Sequence, residues 1–488
     1  MAELDTIDIE RKDLKIVKSI FARHLPYKQV WAYGSRVKWT ATHTSDLDCV
    51  VFGATDSEIA DAKEAFDESD IHFEVQLLNW EIIPDDFKEN IQEQYFVLQN
   101  KLDWKETTLG EVCDRIGDGL HRTPQYTTDG KYYFINGSNL KKGQIVIKQD
   151  TKRVDYKEFQ EHKKDLGLNT ILLSINGTIG NLAKYKNELC ILGKSAAYLN
   201  IKDGISKNFT YYLMLDSKFQ NDISHHANGS TIKNVSLVQL KSYPILLPPL
   251  AEQKAIASVL SSLDDKIDLL HRQNKTLESI AETLFRHWFI EEVRDDWEEK
   301  TLDKVAYYLN GLACQKYPPK NDIDKLPVLK IKDLRTGLSD ASDWATSNVP
   351  EEYVIQNGDI VFSWSGSLLV KIWDGMICIL NQHLFKVTSD QYPKWFVYLW
   401  TKHHLRKFTA IAESKATTMG HIKRCDLASS MVTIPTSPEL KDMSKAMTPI
   451  IDKIILNNIQ ISKLTTIRDI LLPKLMSGDV RVEYEKII

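Results

Sequence analysis

The sequence has little of what membrane, secreted and metal-binding proteins need. No stretch approaches the ~18 uninterrupted apolar residues of a membrane span, and the first residues (MAELDTIDIERKD) contain no apolar core of a secretory signal. Its six cysteines, at positions 49, 113, 190, 314, 378 and 425, form no CxxC pair and no Cys/His cluster. We therefore expect reduced core cysteines in a cytoplasmic protein, with neither a zinc site nor a disulfide frame.

The chain as a whole also lacks a strong charge of one sign. The formal net charge is −5, yet residues 1–100 carry 20 acidic and 10 basic side chains, which leaves a net charge of +5 for the rest. Because only the contacting face of a DNA-binding protein has to neutralise phosphates, this charge permits DNA binding without indicating it. The chain contains neither the Asp/Asn-Pro-Pro-Tyr/Phe motif of a methylase nor a GxxxxGK[ST] phosphate loop.

A large internal repeat decides the architecture of this 488-residue chain. Residues 104–112 (WKETTLGEV) return as residues 297–305 (WEEKTLDKV), and later matches keep their order at an offset that drifts only from 193 to 186 residues. An ordered series of this kind indicates a duplication, whose shared Gly, Trp and apolar positions maintain the fold. The later matches are Gly119-Leu120 with Gly311-Leu312, residues 172–178 (LLSINGT) with 361–367 (VFSWSGS), Tyr212-Leu213 with Tyr398-Leu399, and Ser230-Thr231 with Thr417-Thr418.

Each copy closes on an apolar run into proline, and a long helix is predicted after it. Residues 251–290 contain no Gly or Pro, and their apolar residues alternate at spacings of four and three, with Asn274 in the seam. Residues 447–464 repeat the pattern around Asn457. Ordinary amphipathic helices on a globular core give such stripes too, but two similar stripes, each with one asparagine, favour packing of the two helices on one another. A buried asparagine costs stability and fixes register, and these two are expected to hydrogen-bond across the seam.

The repeat and its helices closely resemble the specificity subunits of type I restriction-modification enzymes over about residues 104–488. The second copy departs from the family at residues 435–440 (PTSPEL), where the family has Pro-Pro-x-x-Glu-Gln, and this weakens the predicted helix cap. The resemblance is carried most specifically by residues 247–256 (LPPLAEQKAI), 284–290 (LFRHWFI) and 471–480 (LLPKLMSGDV).

The resemblance implies an α+β multidomain chain, in which two mixed β/α target recognition domains are joined by an antiparallel pair of long coiled-coil helices. Each domain would read one half of a bipartite, asymmetric site on double-stranded DNA. The helices would set the gap and dock two methyltransferase subunits, with restriction (translocase) subunits joining the complex. S-adenosylmethionine and ATP then belong to partner subunits, and residues 104–488 hold no cofactor and no catalytic residue. The boundaries are 104–248 and 296–436 for the recognition domains, 249–292 for the central spacer helix and 437–488 for the C-terminal spacer helix and tail.

Loops between the shared fold positions supply the candidate DNA-contacting residues. Base reading uses Arg or Lys for guanine, Asn or Gln for adenine, and smaller polar groups elsewhere. Taken alone, each candidate is an ordinary solvated surface group, whereas the sets on variable loops form the predicted DNA-binding surfaces. They are His121, Arg122, Thr123, Gln125, Lys141, Lys142 and Asn176 in the first domain, and Gln315, Lys316, Lys330, Lys332, Arg335 and Trp364 in the second.

Residues 1–100 carry a different pattern, Gly34-Ser35-Arg36 followed after about ten residues by Asp46-x-Asp48. This pattern resembles the minimal nucleotidyltransferases of the polymerase-β type, an α/β fold. Asp46 and Asp48 point the same way on a strand, so both can hold Mg²⁺ on a nucleoside triphosphate. Gly34-Ser35 is expected to open a helix whose amides receive phosphate. Glu74 takes the place of the family's third carboxylate, which is usually Asp.

These patterns lead to three hypotheses of function. The first is sequence-specific DNA recognition without catalysis, in which the N-terminal acids are either active or an inherited scaffold for docking or regulation. The alternative is metal-dependent transfer of a nucleotide to protein or RNA, with the repeat as a targeting module. The third is an interaction scaffold, which predicts no sequence preference among random duplexes.

Overall fold

A computed structural model describes residues 2–3, 6–26, 28–99, 104–225, 234–339, 341–414 and 420–482. The matched pairs Ser230-Thr231 and Thr417-Thr418, the predicted boundary at residue 100 and the end of the tail lie outside these residues. The chain divides into two compact units, Met1–Leu260 with Leu471–Ile488, and Ser261–Ile470.

The N-terminal domain is a five-stranded sheet of order β1-β5-β2-β3-β4. Strand β2 is antiparallel to both neighbours, whereas β3 and β4 are parallel. Alternating apolar residues of the strands face α1 and α2, and the hydrogen-bonded Thr55–Glu58 capping box begins α2. The elements are β1 Ala2–Glu3, α1 Arg11–His24, β2 Gln29–Tyr33, β3 Leu47–Phe52, α2 Asp56–Asp67, β4 Val75–Asn79, α3 Asp85–Glu93 and β5 Gln94–Gln99.

The first recognition domain contains two four-stranded sheets and closes by pairing its first strand, β6, with its last, β17. The sheets have the orders β14-β13-β16-β7 and β15-β9-β12-β8. The strands are β6 Lys105–Thr108, β7 Cys113–Asp118, β8 Tyr126–Thr127, β9 Tyr132–Ile135, β10 Leu140–Lys141, β11 Gln144–Ile145, β12 Arg153–Val154, β13 Thr170–Ser174, β14 Leu182–Lys184, β15 Cys190–Leu192, β16 Ala196–Ile201 and β17 Pro244–Leu247. The helices are α4 Tyr156–His162, α5 Lys207–Leu215, α6 Ser217–His225 and α7 Leu237–Lys241.

The second recognition domain repeats this plan after the long helix α8, Leu250–Arg286, which continues as a π-helical turn, His287–Glu291. Its strands are β18 Glu298–Thr301, β19 Tyr307–Asn310, β20 Leu326–Leu329, β21 Trp344–Ala345, β22 Val354–Ile355, β23 Ile360–Ser363, β24 Leu369–Ile372, β25 Cys378–Leu380, β26 Leu384–Thr388 and β27 Met431–Ile434. Its helices are α9 Leu302–Val305, α10 Ile331–Thr336, α11 Lys394–Ser414 and α12 Arg424–Ala428, and the long helix α13, Ser437–Ser477, follows. The sheet order β24-β23-β26-β19 is that of the first domain, and β18 pairs with β27 as β6 does with β17.

Each recognition domain packs its core on one end of both long helices. In the first unit, Ile256 and Leu260 of α8 and Leu472 and Leu475 of α13 belong to the domain core. In the second unit, the core includes Phe285 of α8 and Met447 and Ile454 of α13. The apolar seam residues are therefore shared between helix packing and domain packing.

Two expectations from composition can be compared with the fold. Five of the six cysteines are buried and free, and burial raises the pKa of the Cys113 thiol to about 12. Cys425 is exposed instead of buried in a core, because it lies in the first turn of the short surface helix α12. In the part of the chain that the structure describes, no helix is both long and apolar enough to cross a membrane.

Candidate nucleic-acid interface

In the first recognition domain, two of the predicted DNA-contacting loops meet at the connection between β15 and β16. The backbone N–H of Leu120 donates to Leu192 O at 2.7 Å, which brings the loop of His121 beside this connection. The N–H of Ile175 donates to Ser195 O at 3.0 Å, which brings the turn of Asn176 to the same place. Segments far apart in sequence thus form one polar end of the domain.

A glycine is required where the first of these loops leaves its strand, and the repeat keeps it. A Cβ on Gly119 would lie 2.3 Å from the carbonyl of Leu192, and one on Gly311 would lie 2.2 Å from Asn381 O. Both contacts are with backbone atoms, which cannot move aside as a flexible side chain would. The matched glycines therefore maintain the same close approach in both domains.

Two of the first domain's candidates are engaged within the protein. His121 Nε2 donates to Asp118 Oδ2 at 2.7 Å. The Arg122 guanidinium donates to His162 Nε2 and lies 3.4 Å from Glu161 Oε1, so carboxylates of α4 already oppose its charge. Asn176 is half-buried in the turn, whereas the remaining candidates are exposed, namely Thr123, Gln125, Lys141 and Lys142.

The second recognition domain brings its candidates together in the same way. The N–H of Leu312 donates to Leu380 O at 2.9 Å and that of Gln382 donates to Leu312 O at 2.8 Å, which places the loop of Gln315 and Lys316 next to the β25–β26 connection. Arg335, near the end of α10, donates to Ser367 Oγ in the turn that follows β23. On the same helix Lys332 is exposed, whereas Lys330, at its N-cap, forms an ion pair with Asp343.

Trp364 is the most extensively packed of the second domain's candidates. Its Nε1 donates to Asn310 Oδ1 at 3.1 Å, and its ring lies 5.7 Å from Phe385, between ring centroids. The rings of His383 and His421 lie 6.0 and 6.3 Å from it. Trp364 therefore holds an aromatic cluster at the polar end of the second domain.

The two long helices are antiparallel and pair through the predicted asparagines. Asn457 Nδ2 donates to Asn274 Oδ1 at 2.9 Å, and both side chains are buried. About three turns along, Arg468 Nη1 donates to Asp264 Oδ1 at 2.9 Å. The hydrogen bond expected across the seam is present, and its role in fixing register stays a prediction.

A glutamate in the first turn of each long helix joins three parts of the chain. Glu252 accepts hydrogen bonds from Trp104 Nε1 at 3.1 Å and from Arg481 Nε and Nη2 at 3.0 and 2.9 Å, and its side chain is fully buried. We call this set of three residues the Glu252 junction. It connects the start of the first recognition domain, the start of α8 and the segment after α13.

The second copy has an equivalent set, the Glu439 junction of Trp297, Glu439 and Arg294. Glu439 accepts hydrogen bonds from Trp297 Nε1 at 2.9 Å and from Arg294 Nη1 at 2.6 Å. It also accepts from the N–H and hydroxyl of Thr436, and this lowers the pKa of its carboxyl. The sequence predicted a weakened cap at the start of this helix. The part of the cap that Glu439 forms is nevertheless present, because the N–H and hydroxyl of Thr436 donate to its carboxylate.

In the N-terminal domain, Asp48 lies on β3 directly beside Gly34. A Cβ on Gly34 would lie 2.4 Å from Asp48 Oδ2, and the residue has a φ of +79°, so both space and backbone require glycine. Burial and the neighbouring Asp46 raise the pKa of Asp48, and Gln76 Nε2 donates to Asp46 Oδ2 at 3.1 Å. The two carboxylates therefore form a close acidic pair on one face of the sheet.

Two expectations for this domain need correction. Gly34-Ser35 opens a series of turns instead of a helix, with Lys38 N donating to Gly34 O. Arg36 is buried and donates to the carbonyls of Ser45 and Asp8, with its guanidinium over Phe73, so it fixes the loop, and its part in nucleotide binding stays a prediction. Glu74 is exposed just before β4, and no group of three or more His, Cys, Asp or Glu side chains placed to hold a metal ion occurs among the described residues.

Comparisons with known proteins match both parts of the chain. The family model described as "Polymerase beta, Nucleotidyltransferase" matches residues 15–102. The model described as "Type I restriction modification DNA specificity domain" matches twice, over residues 101–279 and 294–466. The chain belongs to the type I restriction-modification specificity subunits. This family binds DNA and assembles with methyltransferase and restriction subunits.

Individual relatives of this specificity subunit agree with the family. It is 28% identical over 396 residues to the type I restriction enzyme MjaIX specificity subunit of Methanocaldococcus jannaschii, covering 75% of this chain and 88% of the relative. A solved type I S subunit from M. genitalium has the same fold, with 19% identity, a TM-score of 0.51 and coverage of 78% and 97%. The N-terminal region is 39% identical over 104 residues to the probable protein adenylyltransferase MntA of Haemophilus influenzae, covering 21% of this chain and 91% of the relative.

The structure adds polar residues that the sequence analysis missed in this specificity subunit. In the first domain they are Lys194, Ser195 and Asn234, and in the second Gln382, His383 and His421. The repeat itself holds a detectable sign of them, because Cys190-Ile-Leu-Gly-Lys-Ser and Cys378-Ile-Leu-Asn-Gln-His share their first three residues and differ in the next three. Asn234 and His421 occupy equivalent places, since each forms a β-bridge with the turn that carries Asn176 or Ser365.

Proposed function

We propose that this specificity subunit recognises a bipartite, asymmetric site on double-stranded DNA, with one recognition domain on each half. The supporting observation is that the sheet β14-β13-β16-β7 has its counterpart in β24-β23-β26-β19, whereas the polar side chains at equivalent loop positions differ, as Ser195 and His383 do. Different hydrogen-bonding groups held on the same frame are expected to select different base pairs. Because the family acts on DNA, we also propose a cytoplasmic location.

Sequencing of DNA methylation in host cells tests this proposal. We compare cells with and without this gene while the methyltransferase gene of the same system stays in place, and expect methylation to be lost at one bipartite motif. Unchanged methylation, with the protein expressed, would contradict the recognition role. Replacing residues 104–248 by the domain of another specificity subunit is expected to change one half-site only, and a change in both would contradict the modular assignment.

We further propose that α8 and α13 set the gap between the half-sites. At ~1.5 Å per residue the 37 residues of α8 extend about 55 Å, whereas readers on one face of B-DNA are separated by ~34 Å or a multiple of it. Removing one heptad from each helix, residues 265–271 and 460–466, keeps the asparagine pair in phase and is expected to shorten the gap. Removing only one of the two heptads is the control, which breaks the register, and an unchanged gap in the matched deletion would contradict the spacer role.

The same helices are proposed to dock two methyltransferase subunits, which would bind S-adenosylmethionine, while restriction subunits would use ATP. Apolar side chains outside the seam support this, because Leu456 and Ile467 of α13 are 60% and 46% exposed. We expect Leu456→Asp and Ile467→Asp to weaken co-purification with the methyltransferase, and Ser462→Asp on the same helix to leave it unchanged. Full retention by both apolar variants would contradict docking on this face.

For the N-terminal domain we propose that Asp46 and Asp48 hold a divalent cation, Mg²⁺, on a nucleoside triphosphate. The donor set fits, since two adjacent carboxylates are a pair that a cation neutralises, and Gly34 lets the loop approach the Asp48 carboxylate closely. Asp46→Asn and Asp48→Asn in the full chain are expected to abolish Mn²⁺ binding measured by calorimetry, with duplex selection unchanged. Loss of duplex selection in these variants would instead favour nucleotide transfer as the chain's main function.

A further inference from the structure

The polar end of the second recognition domain carries a group that we call the histidine–tryptophan patch: Trp364, His383 and His421. The indole stands between the two imidazoles, with ring-centroid distances of 6.0 and 6.3 Å and interplanar angles of 40° and 83°. Trp364 and His383 are half-buried and His421 is exposed. The patch is therefore anchored in the domain and still open to a ligand.

Backbone and side-chain hydrogen bonds fix the patch. Ile422 N donates to Trp364 O at 3.0 Å, which ties the strand position of His421 to the turn. Ser365 Oγ hydrogen-bonds with His383 Nδ1 at 3.2 Å, and among the described residues no hydrogen bond to Nε2 of this ring is found. The Nδ1 contact fixes the ring plane and leaves Nε2 as the nitrogen for a ligand.

The fold does not need this patch, because the first domain builds the same end without it. The equivalent positions there are Ile175, Ser195 and Asn234, as the turn sequences and the β-bridges of Asn176 and Ser365 establish. Ile175 is a buried core residue, and Ser195 Oγ accepts from Gly137 N and donates to Asn136 Oδ1. Two side-chain sets on one frame favour a role in recognition for the set, in addition to the packing of Trp364 on Phe385.

The chemistry of the patch points to a guanine. An imidazole supplies N–H donors, both of its nitrogens when protonated, and the major-groove edge of guanine presents two acceptors, N7 and O6. Arg335, whose guanidinium reaches Ser367 in the same turn, adds donors beside it. The flat indole gives an apolar surface against which a base edge can pack.

We propose that His383 and His421, supported by Trp364, are the base-reading set of the second recognition domain and select a guanine in its half-site. The inference rests on the proposed bipartite recognition and adds the residues and the base. It assigns reading to segments 381–384 and 420–424, which contain none of the residues predicted from sequence.

Selection from random-sequence duplexes by the full chain in complex with its methyltransferase subunits tests the proposal. The variants His383→Ser and His421→Asn carry the residues that the first domain has at the equivalent positions. Gln391→Ala is the matched control, since this exposed residue follows the opposite end of β26 from His383. Replacing residues 296–436 by the domain of another specificity subunit identifies which half-site the second domain reads.

We expect the wild-type complex to select a guanine in that half-site, and each histidine variant to lower its preference for guanine about tenfold, as loss of one base contact does. The other half-site should not change, and Gln391→Ala should match the wild type. Undiminished guanine preference in both variants, or a half-site without guanine, would overturn the proposal. A wild-type complex that selects no bipartite motif would instead contradict the proposed function. Because His421 is exposed, His421→Asn decides the question even where His383→Ser unfolds the domain.

Discussion

The two recognition domains have the same four-stranded sheet order but surround it differently. After β12 the first domain forms the helix α4, whose carboxylates engage Arg122, whereas the second has a 3₁₀ turn, Glu351–Tyr353, and the extra strand β22. Beside the sheet the first domain breaks its helix at Asp216, while the second keeps one helix, α11, of 21 residues. The shared parts include one sheet and the glycines that meet backbone at close range, and the parts that differ lie around that sheet.

The junctions at the start of the long helices differ in burial more than in composition. Glu252 is fully buried and holds Arg481 through both carboxylate oxygens. The Glu439 side chain is 25% exposed, and that of its partner Arg294 is 60% exposed. The same three residue types are thus expected to contribute unequally to the stability of the two domains.

The largest expected effect is that of removing the buried carboxylate. Glu252→Ala leaves Arg481 and Trp104 without this buried acceptor, and because Arg481 is 37% exposed we expect a cost of about 1–3 kcal/mol, below that of a wholly buried ion pair. Glu439→Ala is expected to cost less, because solvent replaces part of the lost interaction. Hydrogen–deuterium exchange of β6 and β17 compared with β18 and β27 measures the difference. Glu252→Gln and Glu439→Gln are the controls, because they keep the acceptor for tryptophan. Equal losses of protection in the two domains after the alanine substitutions would contradict the expected difference in stability.

Substitution of either matched glycine by alanine should destabilise its domain to a similar extent. Gly119→Ala and Gly311→Ala each force a Cβ against a backbone carbonyl, and such overpacking costs about 1–3 kcal/mol. Urea unfolding followed by domain-specific hydrogen exchange measures both. Gly167→Ala in the first domain is the control, since a Cβ there meets nothing within 4 Å. A loss of stability in only one domain would show that the two domains are not equivalent at this position.

The asparagine pair joins α8, which follows the first copy of the repeat, to α13, which follows the second. Asn274→Leu removes the shorter hydrogen bond of the buried Asn457 amide and leaves only the 3.5 Å contact with Gln273 Oε1, which costs about 1–3 kcal/mol in the free energy of unfolding. The double variant with Asn457→Leu should recover most of this loss and relax the helix register. A double-mutant cycle by thermal unfolding measures the coupling, and strictly additive losses would argue against a functional pair.

The smallest expected effect is a pH dependence confined to the second domain. Burial lowers the pKa of His404 to about 4, from an ordinary value of 6.5, whereas Lys218 occupies the equivalent place in the first domain. The unfolded state therefore takes up the proton first, so stability present above about pH 6.5 is lost as the pH falls toward 4. Urea midpoints at pH 7.5 and 5 should differ less for His404→Gln than for the wild type. The exposed His287→Gln serves as control, and an unchanged pH response in His404→Gln would count against this assignment.

Sequence patterns predicted much of the frame because its requirements are local or periodic. The offset of the repeat indicated two equivalent domains, and one of the two four-stranded sheets has the same strand order in both. The four-three alternation predicted the long helices, and Asn274 and Asn457 form the expected hydrogen bond. Gly34 and Asp48 were identified from a motif, and their contact follows from the pairing of β2 with β3.

The sequence by itself determined which elements form, since backbone sterics and the spacing of apolar residues act within a few residues of the chain. Only the tertiary structure decided which charged and polar groups meet, because those partners come from distant segments. Arg36 is bound by Ser45 and Asp8, Arg122 by α4, and His383 lies next to the turn of Trp364, which precedes it by 19 residues. A side chain's hydrogen-bonding capacity is fixed by its type, but its availability for DNA depends on what the fold places beside it.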